Sequence, residues 1–154
     1  MKGYLADTNV WSATLLNKPD PKFADWYQAH AKKLWMPSVS AAEMLYGVRH
    51  LPAGRRRHEL AKEIDAILEA ARPKILDFTE EAASLFADFR VEQEKYGPAS
   101  STEDLQIAAI AAANGLTLAT RNVKDFRHLD ISIINPWETD NAEEPNDKRI
   151  ATVL

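Results

Sequence analysis

Apolar residues along this chain fall into two kinds of run. Some are tight blocks of three or four; others recur at every third or fourth position across ten residues or more. Tight blocks read as short buried strands, and spaced recurrences read as helices with one inward face. Tyr4–Ala6 is a first strand, and residues 8–16 a helix that starts where it ends. Pro19-Asp20-Pro21 breaks the chain, and residues 23–33 form a second helix with Phe23, Trp26 and Tyr27 on one side. Leu34-Trp35-Met36 is a second strand, closed by Pro37, and residues 40–50 are helical. After Pro52-Ala53-Gly54 comes a long amphipathic helix, Arg55–Ala71, with Leu60, Ile64, Ile67 and Leu68 inward. Residues 74–77 are strand-like, 80–95 helical up to Gly97-Pro98, and 102–114 helical up to the good stop Gly115. Residues 117–120 and 131–134 are the last strands.

Strands alternating with helices predict an α/β fold with a short, mostly parallel central sheet flanked by helices. At 154 residues the chain suggests one domain, assigned to residues 1–137. Residues 138–154 read as an acidic, weakly ordered C-terminal tail. No internal repeat or low-complexity linker interrupts the pattern.

Composition narrows the class. Hydrophobic residues make up 45% and charged residues 27%, as in an ordinary globular chain. There is no cysteine, which excludes disulfides and thiolate metal sites. No signal-peptide core and no run of ~20 apolar residues is present, so the expectation is a cytoplasmic protein without a membrane span. The net charge of −4 argues against a broad basic nucleic-acid surface. That charge is uneven, however. The tail carries five acids and two bases, leaving 18 acids and 17 bases in residues 1–137. A nucleic-acid substrate is therefore allowed by charge, though not indicated by it.

Ligands of parallel sheets bind beyond the carboxyl ends of the strands. Asp7 follows the first strand, Glu43 follows the second by one helical turn, and Asn122 and Asp125 follow the fourth. Asp104 lies at the start of the helix leading into that fourth strand, where topology alone does not place it.

Each acid has a plainer explanation. Asp7, before Thr8-Asn9, could serve only as a helix N-cap. The alternative is a cation ligand whose second oxygen is held by the Thr8 and Asn9 side chains. Glu43 closes Ser40-Ala41-Ala42-Glu43, an S-x-x-E capping box. Asp104 is the stronger candidate, because Ser100 and Glu103 supply their own capping box. It shares a face with Ile107, Ala108 and Ala111, so its carboxylate must be paired, protonated or bound to a cation. Asp125 could be a turn residue beside Phe126. The four histidines show no ligand spacing, and no phosphate-binding glycine loop or nucleophile elbow is present. Arg49, Arg121, Lys124, Arg127 and the run Arg55-Arg56-Arg57 could touch phosphates.

Four pieces in order carry a resemblance: 5-LADTNV-10, 40-SAAEMLYG-47, 104-DLQIAA-109 and 118-LATRNVKDF-126. With the closing Ile134-Asn135-Pro136-Trp137, they resemble the PIN-domain ribonucleases, in particular the VapC and FitB-like toxins of toxin–antitoxin modules. The match spans residues 4–137. The resemblance implies an acidic pocket for Mg²⁺ or Mn²⁺, with Asp7, Glu43 and Asp104 as metal ligands and catalytic residues. The family's fourth acid falls at or near Asn122, an amide here; Asp125 takes that place, or the site runs on three acids. Thr8, Asn9, Thr120 and Asn122 would support the site, and Arg49, Arg121 and Lys124 would contact phosphate. The resemblance further implies an endoribonuclease using a metal-activated water, a homodimer, and a cognate antitoxin over the site.

Two other classes compete. A haloacid-dehalogenase-type phosphatase also places an Asp after its first strand, but needs a second Asp where this chain has Asn9. A PIN-like binding domain without catalysis is supported only by the amide at Asn122.

Overall fold

A computed structural model describes residues 2–97 and 100–138. Five strands form one sheet: β1 (Tyr4–Ala6), β2 (Leu34–Pro37), β3 (Ile75–Leu76), β4 (Thr117–Ala119) and β5 (Ile133–Ile134). Six helices connect them: α1 (Thr8–Ala13), α2 (Pro21–His30), α3 (Ser38–Arg49), α4 (Arg55–Ala71), α5 (Glu80–Glu94) and α6 (Thr102–Ala113). The expected α/β architecture is present, and every strand pairing among the described residues is parallel. Apart from Glu138, the acidic tail lies outside the described residues.

The strand order is β3-β2-β1-β4-β5. The chain steps one way from β1 through β2 to β3, then returns to build on the other side of β1. Connections therefore diverge between β1 and β4, which opens a crevice at the carboxyl ends of those two strands. Register across the divide is direct, pairing Leu5 with Leu118 and Ala6 with Ala119.

Side-chain alternation along the strands divides the core. Leu5, Leu118 and Ile133 face α5 and α6, in a cluster with Phe89, Leu105 and Ile110. Tyr4, Ala6, Met36, Ala119 and Ile134 face the opposite side, with Val10, Phe23, Trp26 and Ile64. Burying both faces explains why these strands read as unbroken apolar blocks. Gly3 admits the close approach of the chain leading into β1 to the chain leading into β2. Its φ is +136°, and a Cβ there would strike the Lys33 carbonyl.

Element ends differ from the sequence expectations for identifiable reasons. α2 begins at Pro21, inside the supposed break, because Asp20 caps it by accepting from the Lys22 and Phe23 amides at 2.9 and 3.3 Å. Proline needs no amide partner at a first helical position. α1 stops at Ala13, and the Thr14 hydroxyl bonds the Trp11 carbonyl at 2.6 Å. A 3₁₀ turn, Ala31–Lys33, replaces the expected last turn of α2.

Candidate active site

Asp7 occupies the crevice between β1 and β4. Its amide donates to the Ala119 carbonyl at 3.1 Å, extending the β1–β4 ladder by one step. Its Oδ1 accepts from the Val10 amide at 3.1 Å, so Asp7 does cap α1. Capping occupies only part of the carboxylate. Thr120, the residue after β4, also donates its hydroxyl to it, and the Asn9 amide adds a further bond. The Asn122 amide donates to that same Thr120 oxygen at 3.1 Å, tying the loop after β4 to Asp7. Two sequence expectations change here. The Thr8 hydroxyl does not hold Asp7, and Asn9 contributes through its backbone.

Burial raises the Asp7 pKa to about 6, despite three hydrogen bonds that act the other way; the charge of Asp104 adds to the rise. A group this desolvated at the mouth of a crevice is costly to ionise unless a cation joins it.

Glu43 reaches the same place from β2. α3 begins at Ser38, so Ser40 lies within its first turn rather than at the cap, and Pro37 in the cap position makes no side-chain bond. The S-x-x-E pattern is therefore not a capping box here. Ser40 is buried, with its Oγ 2.8 Å from Thr8 Oγ1. Thr8 in turn donates to Glu43 Oε1 at 2.7 Å. Burial raises the Glu43 pKa, the Thr8 bond opposes this, and Asp104 and Glu103 add repulsion.

Asp104 is brought in by α6. That helix ends only three residues before β4, so it runs back along the sheet and its N-terminus lies at the strands' carboxyl edge. The cap is Ser101, which accepts from the Asp104 amide at 3.1 Å, and not the expected Ser100. Ile107, Ala108 and Ala111 on the shared face are buried. Burial again raises the Asp104 pKa most, with Asp125 and Glu103 adding repulsion.

Asp125 sits in a 3₁₀ turn, Val123–Phe126, close enough to Asp104 for their charges to interact. Its carbonyl accepts from Gln93 Nε2 at 2.6 Å and from Ser100 Oγ at 2.9 Å. Lys124 and Asp125 separate two clefts of about 330 and 340 Å³. Gln93, Tyr96, Ser100 and His128 line one, and Arg121, Asn122, Arg127 and Asn135 the other. Arg121 also lies over the Trp137 ring, 5.0 Å from its centroid. Arg49, by contrast, is at the far end of α3, six residues beyond Glu43, which is about 9 Å along the helix.

All four acids thus converge on one edge, and the partial positive end of α6 faces them. Among the described residues no three of these side chains form a closed ligand cluster. An all-oxygen donor set of this kind still fits a hard divalent cation, since Mg²⁺ takes one or two carboxylates and keeps several waters. Histidines play no part in the cluster. His30 stacks on Trp26, His50 on Tyr46 and His128 on Tyr96. A larger apolar groove of about 620 Å³, lined by Trp11, Tyr27, Leu34 and Ile67, contributes no acid.

Sequence reasoning missed Ser40, Glu103, Gln93, Ser100 and Ser101 as members of this region. The three-residue gap between α6 and β4 was the available signal for placing Asp104.

A family model described as PIN domain matches residues 4–132. The chain is 33% identical over 136 residues to the plasmid stability protein StbB of Pseudomonas syringae, covering 87% of this chain and 98% of that one. It is 32% identical over 134 residues to the VapC ribonuclease Y4jK of Sinorhizobium fredii, covering 86% and 96%. The structure of FitAB bound to an IR36 DNA fragment superposes with a TM-score of 0.83 at 29% identity, covering 91% of this chain and 99% of that one. Among the described residues no helix is long and apolar enough to cross a membrane.

Proposed function

This chain belongs to the PIN-domain family, and from that premise we propose that it is an Mg²⁺- or Mn²⁺-dependent endoribonuclease, the toxin of a toxin–antitoxin pair. The observation that carries the reading is the convergence of Asp7, Glu43 and Asp104 on the strand-divergence crevice, each with its pKa raised by burial. Burial disfavours charge on all three carboxylates, and a bound cation would offset that cost.

Asp7 and Asp104 are the primary ligands, and Glu43 is a further ligand or the base that orients the attacking water. When bound, the cation would neutralise charge on the scissile phosphate and lower the pKa of the attacking water. The chain's own groups do the rest. Thr120 hydrogen-bonds the Asp7 carboxylate, and Thr8 holds Glu43 Oε1. Asp125 takes the fourth acidic place that the amide of Asn122 cannot fill. Arg121 and Lys124 border the clefts beside the acids and suit the flanking phosphates. Arg49 stands at the C-terminal end of α3 and lines neither cleft, so it is not assigned that role. Cleavage by a water held by the cation and carboxylates does not use the 2′-hydroxyl as nucleophile.

The relatives' names and the FitAB complex support an antitoxin partner and RNA as substrate. A homodimer is the proposed assembly, checked by light scattering. The amide at Asn122 favours the rival reading of a non-catalytic binding domain. Incubation of a total RNA pool with purified protein separates the two. Discrete fragments that need Mg²⁺ or Mn²⁺, and vanish with EDTA and in Asp7→Asn and Asp104→Asn, support the nuclease. Intact RNA despite bound cation favours the binding domain.

A further inference from the structure

Two adjacent serines hold the backbones of two different acids. Ser101 Oγ accepts from the Asp104 amide at 3.1 Å, and Ser100 Oγ donates to the Asp125 carbonyl at 2.9 Å. Gln93, near the end of α5, completes the second attachment. Its Nε2 donates to the Asp125 carbonyl at 2.6 Å and to Ser100 Oγ at 3.0 Å. Gln93, Ser100 and the Asp125 carbonyl thus close a triangle linking α5, the segment before α6, and the turn after β4.

This triangle has a cost that packing does not explain. Gln93 is 7% exposed, and its Oε1 is buried without a hydrogen-bond partner. Turning the amide over would not relieve this, because it would set an oxygen against the Asp125 carbonyl. A methionine would fill similar space with no buried polar atom left over. The amide is therefore justified by what its N–H groups hold, the Asp125 carbonyl and the Ser100 hydroxyl that binds the same carbonyl.

We infer that Gln93 and Ser100 are positioning residues that set the Asp125 carboxylate beside Asp104 as the fourth acid of the cation site. The inference rests on the cation-site reading above and names what completes that site. Fixing the carbonyl of a residue in a short turn restricts the directions its side chain can take. Asn122 is held through its backbone, by Thr120 Oγ1 and the Asp125 amide, but its side chain is an amide and makes no cap bond to the turn. Partners that orient a ligand in this way are typically worth about 10-fold or more in metal affinity.

The test is Mn²⁺ binding to the full chain, without RNA, read by electron paramagnetic resonance. Wild type is compared with Gln93→Met, Ser100→Ala, Asp125→Asn and the Gln93→Met/Asp125→Asn double variant. Each single change should weaken Mn²⁺ about 10-fold, and the double variant should bind no more weakly than Asp125→Asn alone. Thermal unfolding in EDTA identifies a variant that is merely misfolded, and Ser100→Ala then carries the test alone. Unchanged affinity in Gln93→Met and Ser100→Ala overturns the inference, as does a double variant weakened by the product of the singles. Failure of the ribonuclease reading looks different: the coupling survives while no RNA is cut.

Discussion

Thr8 donates its hydroxyl to Glu43 Oε1 at 2.7 Å while lying 2.8 Å from Ser40 Oγ. That bond joins the first turn of α1, which follows β1, to α3, which follows β2. It makes the two strand ends a single acidic unit. Thr8→Val keeps the side-chain shape and removes the hydroxyl. Cleavage should fall about 10-fold, through misorientation of Glu43. The loss of buried Ser40's partner should cost about 1 kcal/mol of stability. Single-turnover rates and chemical denaturation measure the two effects separately.

Asp7 should make the cation-free protein more stable in mild acid. Its folded-state pKa is about 6, against 3.8 for the unfolded chain, so the folded form holds the proton longer. This contribution is complete below 3.8 and is lost as pH rises through about 6. Between pH 5 and pH 7.5 it amounts to about 1.4 kcal/mol. Glu43 and Asp104 act in the same direction, their pKa values being raised too. Denaturant titrations in EDTA at the two pH values check the sign. Asp7→Asn keeps a capping residue, removes most of the dependence, and should be the more stable protein at pH 7.5.

Adding Mg²⁺ at pH 7.5 should restore what deprotonation takes away. A cation at 100 times its dissociation constant adds about 2.7 kcal/mol. The gain should be smaller at pH 5, where protons compete for Asp7. Thermal melts with Mg²⁺ and with EDTA measure it, and Asp7→Asn should respond weakly at both pH values.

Much of this was legible in the sequence. Asp7 after an apolar triplet, and Asp104 on a face otherwise made of Ile107, Ala108 and Ala111, advertise carboxylates that need a partner. Neighbours were harder to read. Ser40-Ala41-Ala42-Glu43 has the spacing of a capping box, but α3 starts two residues earlier, because the chain can turn directly from Pro37 into a helix. Ser100 and Ser101 are chemically identical in sequence, yet Ser101 caps α6 while Ser100 bonds the Asp125 carbonyl. Gln93 gave no signal at all, since its partner is a main-chain carbonyl 32 residues away.

Phosphate contacts should separate by position. Lys124 borders both clefts beside Asp125, whereas Arg49 lies about 9 Å along α3 from Glu43. Lys124→Ala should raise KM with little change in kcat, and lower the salt slope of RNA binding by about 0.7. Arg49→Ala should leave both nearly unchanged. Filter binding of a non-cleaved RNA to Asp104→Asn variants across a salt series gives the slopes.

The central claim is that carboxylates and a cation, not the substrate's own 2′-hydroxyl, drive strand cleavage. Its most direct test uses a mapped RNA substrate carrying a single 2′-deoxy sugar at the scissile position, cut in Mg²⁺ by wild type. Cleavage at that position, leaving a 3′-hydroxyl and abolished by Asp7→Asn, is the predicted result. Resistance of the deoxy substrate, with a 2′,3′-cyclic phosphate from the all-ribose one, would contradict the account.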